Sequence, residues 1–357
     1  MDRKIKPLRV LSLDGGGMRG IYAASYLARL TENFAKKNDI KSIDFGAKFD
    51  LIVGTSTGAF IACGLAAEVP LYQMVDLYRE HGHLIFQLPV PDNVKAVASD
   101  VFGRSNAIQA GEKSLRDALT HSFGGETLGA LYHRRRIALA IPSVEMGRHR
   151  GWVFKTSHLK NSNKRDDGYS LVDVCLASSA APIYRSLAYL AIPESDAIGG
   201  NVFCDGGLWA NNPVLVALLD ALEMAEEGQE IQIFCMGTCP RPAGEEINKE
   251  EVHRGLLGWR FGADVASLAI DAQEFAYHFI ATKLTRYLTK PCSIIRFPTD
   301  NVPASMMQHL GLDDVRPESM AALARQAHSD ADFTNSICGD ENNPIGKKIC
   351  GLFDCNM

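Results

Sequence analysis

Short apolar runs alternate along this chain with longer segments in which apolar residues recur at helical spacing. The runs at 8–13, 49–53, 137–141, 152–154 and 231–236 read as strands. Helical periodicity fills 21–35, 59–67, 71–81, 114–122 and 214–226, with Asn212 and Pro213 suited to the cap and first position of the last helix. Such alternation predicts an α/β fold with a mainly parallel central sheet and helices on both faces. Residues 84–110 read as an irregular excursion. Beyond residue 240 the pattern turns mostly helical to about 290, with a strand-like stretch at 293–297, and the tail from Asn335 onward carries little signal. The expected organisation is a main unit over 8–239 and a mostly helical C-terminal extension over 240–357 packed on it, suited to a regulatory role.

Composition narrows the class. At 357 residues, 46% hydrophobic and 22% charged, the chain has ample material for a globular core. A net charge of −5 argues against DNA or RNA polymers as partners. Nine cysteines without a disulfide-framework spacing suggest reduced thiols. The apolar run that follows Arg3, Lys4 and Lys6 ends at Asp14, too short for a signal peptide, and no run reaches the ~20 apolar residues of a spanning helix. A cytoplasmic protein is expected.

The chemistry begins at Ser56, in Gly54-Thr55-Ser56-Thr57-Gly58. This G-x-S-x-G follows a predicted strand and precedes a predicted helix. A serine on so sharp a turn has its hydroxyl lifted clear of its neighbours, and the helix N-terminus behind it favours developing negative charge. Gly54 and Gly58 support the turn.

Two further motifs bear on Ser56. Asp14-Gly15-Gly16-Gly17-Met18-Arg19-Gly20 follows the first predicted strand. Its bare backbone N–H groups at Gly15, Gly16 and Gly17 suit an oxyanion hole. Arg19 either holds that loop or a substrate phosphate, or pairs with a nearby acid. Asp205-Gly206-Gly207 puts a carboxylate at a strand end beside two small residues, where it can serve as base to the serine. Gly15, Gly17 and Gly20 also satisfy G-x-G-x-x-G, but residues 35–44 do not supply the acidic strand end that a dinucleotide fold needs. His253, His278 and His309 follow Asp205 and keep a Ser–His–Asp triad open as the alternative to a Ser56–Asp205 dyad. The basic runs 133–136 and 148–150 read as a solvated surface or a phosphate-binding patch, and 84–90 as an apolar lip or ordinary packing. Neither Cys235-x-x-x-Cys239 nor His81-Gly82-His83 has the second ligand pair of a metal site, and no cofactor is expected.

DGGGMRG, GTSTG and DGG, in that order, resemble the patatin-like phospholipase family. Leu176-Ala177-Ser178-Ser179-Ala180-Ala181-Pro182 and Asp205-Gly206-Gly207-Leu208-Trp209-Ala210-Asn211-Asn212-Pro213 look like two further segments of that family. The resemblance covers roughly 8–237 with every motif present. It implies a patatin-like three-layer fold and a serine lipid acyl hydrolase cleaving fatty-acyl esters of membrane glycerophospholipids. The whole chain also resembles the bacterial patatin-like effectors that a cyclic nucleotide activates in anti-phage signalling. That closer resemblance implies a cyclic dinucleotide activator, transient contact with the inner membrane, and room for a homo-oligomer. The alternative is a constitutive lipid acyl hydrolase or thioesterase without nucleotide control.

Overall fold

In the computed structural model, which describes residues 5–86, 94–193, 199–239, 247–255, 258–259, 263–298 and 302–353, eight strands form one sheet. They are β1 (Leu8–Leu13), β2 (Leu51–Gly54), β3 (Ala138–Glu145), β4 (Arg150–Lys155), β5 (Ala188–Ala191), β6 (Gly200–Asp205), β7 (Ile231–Met236) and β8 (Cys292–Arg296). The order is β5-β6-β3-β2-β1-β7-β8, with β4 also paired to β3. β3, β2, β1, β7 and β8 run parallel, whereas β4, β5 and β6 run antiparallel to their neighbours.

The helices are α1 (Gly20–Lys37), α2 (Thr57–Ala66), α3 (Leu71–Ile85), α4 (Val94–Phe123), α5 (Leu128–Arg135), α6 (Leu171–Ser178), α7 (Gly207–Ala210), α8 (Val214–Met224), α9 (Ala263–Leu284), α10 (Pro317–Cys338) and α11 (Pro344–Phe353). The central strands β1 and β2 are buried at every position because both of their faces are covered. Leu11 and Leu13 of β1, Ile52 of β2 and Phe234 of β7 pack with α1, α2 and α3. The alternate residues Val10, Leu51, Val53 and Ile233 pack with α8 on the other face. The period-two alternation of a strand thus divides the core into two layers around the sheet.

Register sets up the site. Leu13 pairs with Gly54 on one side and with Met236 on the other, so β1, β2 and β7 end level. The loops after all three strands therefore open on one edge. β6 enters from the opposite direction, and its last residue, Asp205, pairs with Ser143 just beyond that edge. In open α/β sheets the crevice outside the carboxyl ends of the strands is where ligands are handled.

Some elements depart from the sequence pattern. The excursion expected over 84–110 is largely one helix, α4, that continues through the predicted 114–122 segment. α10, which begins at Pro317, falls where the pattern predicted no element, and the weak tail from Asn335 onward holds its last residues and α11. Their signal is faint because α10 buries small residues, Ala322, Ala324, Ala327 and Ala331, which let it lie close to α1. Tyr22 Oη donates to Asp330 at 2.5 Å and Tyr26 Oη to Thr334 at 2.6 Å across that contact. Phe353 of α11 stacks on Phe34 with ring centroids 3.9 Å apart. β8, from beyond residue 240, extends the sheet in register with β7.

Candidate active site

Ser56 sits between β2 and α2 with φ 55° and ψ −120°. A non-glycine residue adopts that backbone only where its surroundings impose it. Here the turn is pressed against the end of β1, where a Cβ on Gly58 would meet the carbonyl oxygens of Leu13 and Asp14 at 2.5 and 2.7 Å. Gly54, the last residue of β2, faces the same crowding from the Gly58 carbonyl. Ser178, at the end of α6, completes the clamp. Its Oγ accepts from Ser56 N at 2.9 Å and donates to the Pro142 carbonyl at 2.7 Å.

Ser56 Oγ donates to Asp205 Oδ2 at 2.7 Å. The other carboxylate oxygen, Oδ1, accepts the Gly207 N–H at 2.6 Å. Gly206 N–H donates to the Ser178 carbonyl at 3.1 Å, which ties the end of β6 to the end of α6. Ser56 and Asp205 are only 8% and 6% exposed. Burial pushes the Asp205 carboxyl up to about 6, against the opposing pull of the Gly207 N–H, the Ser56 hydroxyl and the Arg185 charge. The pair holds a hydroxyl against a base with raised proton affinity, the layout required to generate an alkoxide nucleophile.

The glycine loop shares its backbone donors unequally. Gly15 N–H donates to the Asn211 carbonyl at 2.9 Å, so it belongs to the scaffold. Gly16 N–H donates to Thr57 Oγ1 at 3.2 Å. Gly17 and Thr57 line the same cavity as Ser56, and among the described residues neither of their N–H groups has an acceptor. Gly17 has φ 57°, and a Cβ there would run into the Leu312 carbonyl oxygen. Arg19, buried, donates through Nε to the Gly16 carbonyl at 3.4 Å, and its own N–H reaches the same oxygen at 3.1 Å. It holds the loop. Asp14, behind the loop, pairs with Arg296 of β8 at 2.7 Å.

Residues that carried no role in the sequence pattern support this loop. Asn211 Nδ2 donates to the Gly15 carbonyl at 3.2 Å and to the Glu274 carboxyl. Gln273 Oε1 accepts the Asn211 N–H at 2.9 Å. Thr238 Oγ1 donates to the Gly15 carbonyl at 3.1 Å. Burial raises the Glu274 carboxyl to about 7, with the Asp14 charge adding to the rise. Asn211 and Ser178 do lie inside the two motif segments, which was the available signal. Gln273, Glu274 and Arg296 had none.

The cavity at Ser56 is about 150 Å³. Phe60, Leu77, Ile85, Phe86, Leu208 and Ile270 supply the apolar wall. Of the lip expected at 84–90, Ile85 and Phe86 line this wall, and residues 87–90 lie outside the described residues. Among the described residues, no histidine lines the cavity. His278, on α9, is half-buried, and desolvation pulls its imidazole down to about 4. His309 is engaged with Ser319 Oγ at 2.8 Å. In the basic run at 133–136, Arg134 pairs with Glu126 at 2.8 Å and Arg135 with Asp44 at 2.5 Å. Among the described residues, no group of three or more His, Cys, Asp or Glu side chains is placed to hold a metal ion.

Comparison with known proteins agrees with this arrangement. A family model described as patatin-like phospholipase matches residues 11–218, from β1 into the first half of α8, and so spans the glycine loop, Ser56 and Asp205. A Pseudomonas aeruginosa protein named cGAMP-activated phospholipase is 34% identical over 272 residues, covering 76% of this chain and 73% of its own. A Vibrio cholerae protein of the same name is 28% identical over 330 residues, covering 89% and 88%. Patatin-like protein 2 of Arabidopsis thaliana is 27% identical over 283 residues, covering 70% and 64%. With a three-layer α/β fold and more than half of its length matched by the family model, the chain belongs to the patatin-like phospholipase family.

Proposed function

We propose that this protein is a serine lipid acyl hydrolase of the phospholipase A type, cleaving fatty-acyl esters of membrane glycerophospholipids through a Ser56–Asp205 dyad. The observation that carries the reading is the 2.7 Å bond from Ser56 Oγ to Asp205 Oδ2 at the base of an apolar cavity. Ser56 Oγ attacks the ester carbonyl while Asp205 takes its proton. The N–H groups of Gly17 and Thr57 receive the oxyanion, and that of Gly16 joins them when the substrate oxygen displaces Thr57 Oγ1. Collapse breaks the bond to the glycerol oxygen, which leaves with the proton from Asp205. Water then attacks the acyl-serine, Asp205 takes its proton, and the fatty acid departs as Ser56 regains the hydrogen.

Arg19 contributes by position. Its two bonds fix the Gly16 carbonyl, and because the peptide is planar and trans the Gly17 N–H must face the opposite way. An ordinary aspartate is a weak base at neutral pH. Raised to about 6, Asp205 is still ionised at pH 7 yet holds a proton far better.

Contact with the bilayer fits the surface beside the cavity. Ser267, Ile270 and Asp271 of α9 line the cavity. A neighbouring face of that helix carries Val265, Leu268, Phe275 and Phe279 exposed, Phe275 by 75%. Ile183 and Leu208, which line the cavity, are themselves more than half exposed. Among the described residues no helix is long and apolar enough to cross a membrane, so a helix such as α9 would lie in the plane of the interface. Peripheral attachment of a cytoplasmic protein to the inner membrane follows from this reading.

Three relatives carry the name cGAMP-activated phospholipase. We assign this chain the same control, activation by a cyclic dinucleotide, and a role in antiviral defence. Fatty acid release from bilayers of defined phospholipids, with and without cyclic dinucleotides, tests the reading. The expected result is release that rises with one nucleotide and is lost in Ser56→Ala. Full release by the protein alone, with no nucleotide bound, leaves a constitutive hydrolase. No release under any condition overturns the assignment.

A further inference from the structure

Acyl transfer as described leaves one positive charge in the cavity without a task. Arg185 lines the same cavity as Ser56 and Asp205 and is only 8% exposed. Its Nε is buried without a hydrogen-bond partner, and among the described residues no carbonyl or carboxylate accepts from its guanidinium. The main chain is held, with Arg185 N donating to the Ala181 carbonyl at 2.9 Å. The Asp205 and Glu112 carboxylates lie close enough to favour its charge, and burial pulls it down only to about 10. It is therefore a cation at neutral pH. Other buried or half-buried arginines are occupied: Arg19 on the Gly16 carbonyl, Arg296 on Asp14 and Arg135 on Asp44.

A desolvated guanidinium without an acceptor is costly to keep, and an arriving anion offsets that cost. The fork of N–H donors matches two oxygens of a phosphate, and the apolar wall strengthens the attraction. We propose that Arg185 binds the phosphodiester of the lipid headgroup and so makes the site selective for phospholipid over neutral glyceride. This inference rests on the acyl hydrolase reading above. A neutral lipid in the cavity would leave Arg185 unpaired and cut off from water, and sites built around a polar contact discriminate strongly against analogues that lack it.

A cyclic dinucleotide carries the same phosphodiester, so the experiment separates the two sources. Fatty acid release is measured from a phosphatidylglycerol and from a diacylglycerol with identical acyl chains, both in mixed micelles. The proteins compared are the parent, Arg185→Met and Arg185→Lys. Calorimetry with cyclic dinucleotides is run on all three. In the parent, kcat/KM favours the phospholipid. Arg185→Met should lower the phospholipid value by about a hundredfold, mainly through KM, and the diacylglycerol value far less, so that the preference collapses. Arg185→Lys, which keeps the charge but loses the fork, should recover part of it.

Equal losses on both lipids with a displaced pH profile would mean that Arg185 acts on Asp205 instead, and would overturn the inference. So would an unchanged preference. Loss of nucleotide binding in Arg185→Met with the lipid preference intact would assign the anion to the nucleotide. Failure of the parent to release fatty acid from either lipid, alone or with any of the cyclic dinucleotides added, is the failure of the hydrolase reading itself.

Discussion

Asp205→Asn should yield a protein that is inactive and more stable than its parent. Burial pushes the Asp205 carboxyl from 3.8 to about 6, so folding favours its protonated form. The shift of about 2 pH units corresponds to about 3 kcal/mol of destabilisation once the group is ionised. The sign follows from the direction of the shift. Below the unfolded value the group is protonated in both states and costs nothing. Between the two values the cost grows, and above the folded value it is complete. Asparagine removes the charge and keeps both contacts, its Oδ1 for the Gly207 N–H and its Nδ2 for Ser56 Oγ, which becomes the acceptor. For a chain of this length 3 kcal/mol corresponds to a rise in Tm of about 4 °C. Thermal unfolding of parent and variant by circular dichroism, from about pH 4 to about pH 8, reads it. The two should coincide at the acid end and separate as pH rises, with the variant higher. A variant that melts at or below the parent at neutral pH, or a gap independent of pH, would refute the reasoning.

The pH profile of kcat/KM on a soluble ester should fall through a single ionisation near 6 on the acid side, because only ionised Asp205 accepts the Ser56 proton. A limb near the ordinary aspartate value of 3.8 would remove the role given to burial. Gly17→Ala should lose at least about a hundredfold in kcat, and stability with it, since the methyl group meets the Leu312 carbonyl and φ is positive there; steady-state kinetics and thermal melts check both. Single substitutions of His253, His278 and His309 should keep most of the ester hydrolysis, and a large loss in a folded variant would restore the triad.

The nucleophile and its base were legible because each lies in a short motif whose local geometry is nearly forced. G-x-S-x-G puts Ser56 on a strained turn, and D-G-G frees the space in which the Gly207 N–H reaches Asp205. The partners that hold them were not legible. Ser178 meets Ser56 across 122 positions of chain and Arg296 meets Asp14 across 282, separations that no local pattern encodes. The glycine loop shows the same limit. Three adjacent glycines look alike in sequence, yet the Asn211 carbonyl takes the Gly15 N–H, and only Gly17 is left without an acceptor among the described residues. Gln273, Glu274 and Leu312, all beyond residue 240, brace the loop, so the C-terminal extension helps to shape the site. α10 escaped notice because alanines, which suit close helix packing, add little to a hydrophobic pattern.

Covalent labelling by a fluorophosphonate, followed by peptide mass spectrometry, tests the dyad most directly, because the reagent reports an activated serine without needing a bilayer or an activator. A single adduct on Ser56 is predicted. Its rate should fall by at least about a hundredfold in Asp205→Asn and stay near the parental value in His253, His278 and His309 variants. An adduct on another residue, or labelling of Ser56 in Asp205→Asn at the parental rate, would contradict the account.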